Sequence, residues 1–113
     1  MTDCLFCKII RKEIPAKIAA ETSNTLAFYD IAPQAPLHIL IIPKKHIGSV
    51  MELQPSHAEI TAELFLTAQE ICRKEQLEDG FRIAINYGAN AGQAVKHLHL
   101  HVLGKRKLSW PPG

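Results

Sequence analysis

The sequence predicts an α+β fold in which a mostly antiparallel sheet is covered by one long helix. Three features carry this. Short β-favouring runs outnumber helical patterns, and a single segment beginning near Ser56 keeps apolar residues at helical spacing over several turns. The strands also fail to alternate with helices as a parallel sheet requires. At 113 residues the chain reads as one domain, 1–113, with room for a modest core and both terminal segments included.

The elements follow in order. Residues 4–13 suit a short helical segment ended by Pro15, and two strands are expected at 17–21 and 25–30, parted by Ser23-Asn24. Ala32-Pro33-Gln34-Ala35-Pro36 is a turn, because each proline resists a regular helix or a central strand. His38–Ile42 reads as a buried strand closed by Pro43. The long helix starts near Ser56, whose hydroxyl can cap early N–H groups while Glu59 completes a capping box. Ile60, Leu64, Ala68 and Ile71 then form the face that covers the sheet, and Asp79-Gly80 breaks the pattern. Phe81–Asn86 is a strand, Gly88–Gly92 a polar loop, and His97–Leu103 the last strand.

Composition narrows the function classes. A formal charge of +2 with scattered basic residues does not favour a nucleic-acid binder, though a small anionic ligand is compatible with it. Met1–Cys7 lacks the regions of a signal peptide. The strongest apolar run, Leu37–Pro43, is far short of the ~20 residues of a membrane helix. A cytoplasmic location without membrane attachment is the expectation. The cysteines are three; Cys72 sits in the helical pattern as a small buried residue, whereas Cys4 and Cys7 form a CxxC pair.

His97-Leu98-His99-Leu100-His101 concentrates half of the six histidines in five positions. On a strand the three imidazoles share one face, and Leu98, Leu100 and Val102 share the other, which can pack beneath the helix. Three uncompensated rings are costly to bury, so that face is wet, metal-bound or catalytic. One reading makes all three histidines zinc ligands. A second gives the metal only His97, joined by His46, Cys4 and Cys7 as Cys2His2, against the plainer view that the thiols are reduced and merely pack. A third makes one histidine a nucleophile toward phosphorus, which needs its other ring nitrogen fixed by a hydrogen bond. The loop Asn86–Gln93 carries glycines that let backbone N–H groups approach a phosphate, although it lacks the Walker pattern.

With these residues in view, the chain resembles the histidine triad family, in its branch of nucleotide-binding purine nucleoside phosphoramidases. The hallmark His-φ-His-φ-His-φ-φ is matched by His97-Leu98-His99-Leu100-His101-Val102-Leu103. Phe6–Lys17 resembles the family opening; Asp30–His38 and Ile42-Pro43-Lys44-Lys45-His46 resemble its middle; Trp110-Pro111-Pro112-Gly113 resembles the end of this branch.

The resemblance implies a homodimer with a continuous sheet and the hydrolysis of adenosine 5′-monophosphoramidates and related purine nucleotide adducts. It implies His99 as nucleophile, His101 as its support at the phosphate, His38 in the proton-handling network and His97 in a structural place. It also implies a purine site from Leu5, Phe6, Ile9, Phe28 and Ile31, with Asp30 on the ribose. Asn86, Gly92, Gln93, Val95, His99 and His101 would lie on the phosphate side. Zinc-bearing relatives with Cys-x-x-Cys align their remaining ligands with His46 and His97, so a structural Zn2+ is expected and no catalytic metal. A three-histidine zinc hydrolase is disfavoured, since it would lack a free nucleophile and leave Cys4 and Cys7 unused. One position departs: Ala94 stands where many relatives carry a serine hydroxyl. That gives weight to a nucleotide-binding regulatory protein with little turnover, which could hold protein partners.

Overall fold

The structure, a computed structural model, describes residues 4–113; Met1–Asp3, part of the segment read above for a leader and of the domain 1–113, lie outside the described residues. Helix α1 (Leu5–Ile10) leads into strands β1 (Ile18–Glu21), β2 (Thr25–Tyr29) and β3 (Leu37–Pro43). Helix α2 (Ala58–Lys74) follows, and then strands β4 (Phe81–Ala84) and β5 (Leu100–Gly104). The five strands form one antiparallel sheet in the order β1-β2-β3-β5-β4.

Strand alternation gives the sheet two different faces. Ile41 lies opposite Leu100 and Ile39 opposite Val102, and these residues pack with Leu64, Ala68, Ile71 and Cys72 of α2. On the other face Leu26 pairs with Ile42 and Phe28 with Leu40, and this smaller apolar cluster is covered by Phe6 and Ile9 of α1. Leu40 lies opposite His101. The histidine side of the sheet is therefore the side that α1 covers.

Several expected boundaries move. The last strand begins at Leu100, so His97 and His99 precede its ladder; Leu98 still turns into the helix-facing core. The first helix stops at Ile10, short of residue 13, because Lys12 adopts a left-handed φ of 64°. Pro43 belongs to β3 as its last residue, and β4 ends at Ala84 instead of Asn86. Ser56 does not cap α2. A 3-10 turn, Pro55–His57, precedes it, and the Gln54 N–H donates to His57 Nδ1 at 3.1 Å. The polar loop contains a short 3-10 turn, Ala89–Ala91, closed by Gly92 in the left-handed region.

Candidate functional site

Four histidines are buried or half-buried near β3 and β5, and their neighbours fix which nitrogen of each neutral ring carries the proton. His99 is 7% exposed, with Nδ1 2.7 Å from the carbonyl oxygen of His97. A carbonyl only accepts, so Nδ1 is the N–H of His99 and Nε2 keeps a free lone pair. His38 behaves in the opposite sense. Its Nδ1 accepts from the Gln34 N–H at 3.0 Å, which puts the proton on Nε2, 2.9 Å from Nδ1 of His101. His101 therefore accepts through Nδ1 and presents an Nε2–H. The His99 and His101 rings meet edge to face with centroids 5.0 Å apart, so one ring with a free Nε2 lone pair packs against one with an Nε2–H.

Burial pushes His101 down to about 4, helped by the nearby His99 and His38. Burial also lowers His38, opposed by the Asp30 carboxylate, whose Oδ2 lies 3.5 Å from His38 Nε2. The other Asp30 oxygen accepts from the Ala32 N–H at 2.8 Å and so shapes the Pro33–Pro36 turn. Asp30, His38 and His101 stand close enough to suggest a metal triad. The proton positions argue against it: His38 uses Nδ1 to accept from a backbone N–H, so a metal on Nε2 would require an imidazolate.

A second cluster fits a metal well. The ligand atoms of Cys4, Cys7, His46 and His97 lie within 4.8 Å of one another. Cys4 Sγ is 3.2 Å and Cys7 Sγ 3.7 Å from His97 Nδ1; His46 Nδ1 is 3.3 Å from Cys7 Sγ and 3.2 Å from His97 Nδ1. Tetrahedral zinc with ordinary Zn–S and Zn–N bonds has ligand–ligand edges of about 3.3–3.8 Å. His97, fully buried, gives its Nε2–H to the Pro43 carbonyl at 2.8 Å, so its Nδ1 lone pair faces the thiols. This backbone acceptor orients the ring as a metal ligand needs. Burial raises the Cys7 thiol, and Cys4 raises it further. Burial lowers His97 to about 4, against the Pro43 hydrogen bond.

The HIT domain family matches residues 11–108. This chain belongs to the HIT family. An uncharacterized HIT-like protein of Synechococcus elongatus is 50% identical over 111 residues, covering 98% of this chain and 97% of the relative. A protein of Brassica juncea named 14 kDa zinc-binding protein is 44% identical over 113 residues, with 98% and 100% covered. Among solved structures, a HIT family hydrolase from Legionella pneumophila Philadelphia 1 superposes with a TM-score of 0.96 at 47% identity, covering 98% of this chain and 100% of its own.

The expected HIT site residues fall into distinct places. The three strand histidines do not converge on one point: His97 turns to the cysteines, while His99 and His101 stand beside each other. Phe6, Ile9 and Phe28 are buried together, Leu5 is half-exposed, and Ile31 is fully exposed, an apolar side chain without core partners. Gln93 has no free carboxamide. Its Oε1 accepts from the Gly88 N–H, and its Nε2 donates to the carbonyls of Gly48 and Val95, so the side chain staples the loop. Val95 leans its side chain against the Phe6 cluster, and Asn86 is half-buried just before the loop.

Sequence reasoning missed the Gln34 N–H and the Pro43 carbonyl, because backbone groups leave no residue signature. The available signal was position: both lie in proline-containing segments next to histidines. A cavity of about 700 Å3 lined by residues including Glu75, Asp79 and Lys105 contains none of the histidines, and the histidine face is the better candidate.

Proposed function

We propose that this HIT protein hydrolyses adenosine 5′-monophosphoramidates and related purine nucleotide adducts through a nucleotidyl-histidine intermediate. The observation that carries it is the His99 Nδ1–H bound to the His97 carbonyl, which leaves Nε2 as an unprotonated nucleophile. Nε2 attacks the α-phosphorus; the P–N bond to the amine breaks with its electron pair going to nitrogen, which takes a proton. Water then attacks the same phosphorus, the bond to His99 breaks with its pair returning to Nε2, and AMP is released with a proton. His101 offers its Nε2–H to a phosphate oxygen, held in that tautomer by His38.

Phe6, Ile9, Phe28, Leu5 and Ile31 would flank the purine, and Asp30 would take the ribose hydroxyls. Asn86, Gly92, Gln93 and Val95 would lie along the phosphates; the Gln93 carboxamide and its main-chain N–H, which donates to the Gly88 carbonyl at 3.0 Å, already have partners within the loop. Zinc at Cys4, Cys7, His46 and His97 would tie α1 to the sheet and supply rigidity, with no part in the phosphoryl step. The relatives named 14 kDa zinc-binding protein and the fit of the four ligand atoms support it. A cytoplasmic homodimer completes the reading.

Rapid quench of turnover with an adenosine phosphoramidate, followed by intact mass and peptide mapping, tests the chemistry. An AMP-sized addition on His99 is expected; an adduct elsewhere, or wild-type turnover by His99→Ala, rejects it. Ala94 favours a second reading, a nucleotide-binding regulator with little turnover, because its exposed methyl cannot give the amine or phosphate a hydroxyl. Restoring that hydroxyl separates the two. Ala94→Ser should raise turnover by roughly 2- to 10-fold, the worth of one neutral hydrogen bond, whereas a regulator shows no turnover with either residue.

A further inference from the structure

We infer that Phe6 is a positioning residue through which the state of the Cys4/Cys7/His46/His97 metal site sets the orientation of the His99 ring. The inference builds on the catalytic reading of His99 given above. It starts from the smallness of α1, whose six residues are too few to hold a helix by their own hydrogen bonds. Two things fasten it. Cys4 and Cys7 reach into the metal cluster at one end, and Phe6 and Ile9 are buried on the sheet.

Phe6 precedes one thiol directly, and its ring touches three others edge-on. Its centroid lies 5.8 Å from His97, 5.1 Å from His99 and 5.4 Å from Phe28, with interplanar angles of 68°, 89° and 71°. Besides the ring of His101, whose centroid lies 5.0 Å away, two supports hold His99. One is the hydrogen bond to the His97 carbonyl, whose own side chain is a metal ligand; the other is the Phe6 edge. Both supports are tied to the metal, Phe6 through the chain and His97 through its ring. His101 touches the His99 ring, but the pair His38 and His101 keeps hydrogen bonds of its own, from the Gln34 N–H and between the two rings. Emptying the metal site should therefore release His99 and leave the neighbouring pair in place.

The plain alternative is that Phe6 is only a wall of the purine site. The imidazole NMR signals of nucleotide-free, zinc-loaded protein, recorded at one fixed pH near 8, decide between them. In the wild type, removing zinc with a chelator should shift and broaden the His99 ring signals and erase its Nδ1–H tautomer signature, while the Nε2–H tautomers of His38 and His101 hold. In Phe6→Leu, which should keep one zinc per chain and unfold cooperatively, the His99 signals should start displaced and respond to the chelator by less than half as much. Unchanged His99 signals in demetallated wild type overturn the inference, as does an equal response in Phe6→Leu. Should Phe6→Leu fail to fold, Phe6→Met takes its place under the same criterion, an equal His99 response overturning the inference.

A second arm uses reciprocity: if zinc improves AMP binding, AMP must improve zinc retention by the same factor. AMP should strengthen zinc retention against a chelator several-fold in the wild type and less than twofold in Phe6→Leu; an undiminished factor in the variant overturns the inference. Failure of AMP to bind at all would sink the nucleotide reading, and the His99 signals would still judge Phe6.

Discussion

The Nε2–H of His38 donates to Nδ1 of His101 at 2.9 Å, and this bond fixes which proton His101 can offer. Without it, His101 could place its proton on Nδ1 and turn a lone pair toward the phosphate. His38→Ala should therefore lower kcat by roughly 100-fold, the lower end of general acid–base effects, with AMP affinity changed by less than about threefold. Steady-state kinetics and a binding titration check it. An unchanged kcat would mean that the His101 tautomer does not matter to turnover.

The same pair makes stability depend on pH. His101 is pushed down to about 4 by burial, whereas an unfolded imidazole titrates near 6.5. As pH falls from 6.5 toward 4 the unfolded chain takes up the proton first, so folding stability decreases across that window and levels off below it. The His101 contribution is at most about 3 kcal/mol. Urea unfolding from pH 7 to 4 should show this slope, and His101→Gln should reduce it, leaving the part that buried His97 and His38 contribute in the same direction. If the variant keeps the full wild-type slope, His101 is not the group responsible.

Metal removal gives a sharper change. His97 delivers its Nε2–H to Pro43 and its Nδ1 lone pair to the thiols, so a metal completes a site already oriented. One zinc per chain is expected in protein purified without chelator. Cys4→Ala should lose it and lower Tm by about 10 °C or more, since each kcal/mol is worth ~4–8 °C in a domain of this size. Metal analysis and thermal melts test this; zinc retained by Cys4→Ala would remove Cys4 from the ligand set.

How far the sequence disclosed this site depends on the kind of interaction. The helix-facing alternation of Leu98, Leu100 and Val102 was legible because burial follows a period of two, and Leu64, Ala68 and Ile71 because it follows the helical period. The polar links were not. Thr25 and Thr67 meet at 3.0 Å inside the fold, and nothing in either local pattern points to the other. The Gln93 carboxamide is consumed by three main-chain partners brought together only by folding, which no local pattern announces. The end of α2 was hidden for another reason. Asp79-Gly80 is a strong stop signal, but the helix has already ended at Lys74 without glycine.

That early stop leads to a stability prediction. Gln76 adopts φ 60°, and the Leu77 N–H reaches back to the Cys72 carbonyl at 3.0 Å, the cap of a helix end that usually carries glycine. A side chain in this left-handed region costs on the order of 1–2 kcal/mol. Gln76→Gly should recover about 1 kcal/mol of it, the greater freedom of glycine in the unfolded chain offsetting the rest. Denaturant melts should show a higher midpoint with an unchanged slope; a lower midpoint would mean that Gln76 makes a contact worth more than its strain.

The surface that α2 and β4 leave open supports the proposed homodimer. Strand β4 ends the sheet order and among the described residues pairs only with β5, with Phe81 and Ile85 43% and 37% exposed along it. Phe65 and Leu66 are 43% and 59% exposed on α2, away from the residues that cover the sheet. A second copy could pair the open edge and cover the helix side chains together, which is the continuous-sheet arrangement that the family resemblance implies. Sedimentation at micromolar concentration should give twice the monomer mass of 12.6 kDa. Phe65→Glu combined with Leu66→Glu should return it to the monomer, because two charges would be buried without partners. The exposed tail is a different case. Trp110 lies over Arg82 of β4, 5.9 Å from ring centroid to guanidinium, with most of the indole open. Deleting residues 110–113 should therefore leave the dimer intact and alter the preference among phosphoramidate leaving groups. A wild-type chain that sediments as a monomer rejects the dimer outright. A dimer lost on tail deletion alone would instead place the tail in the central interface.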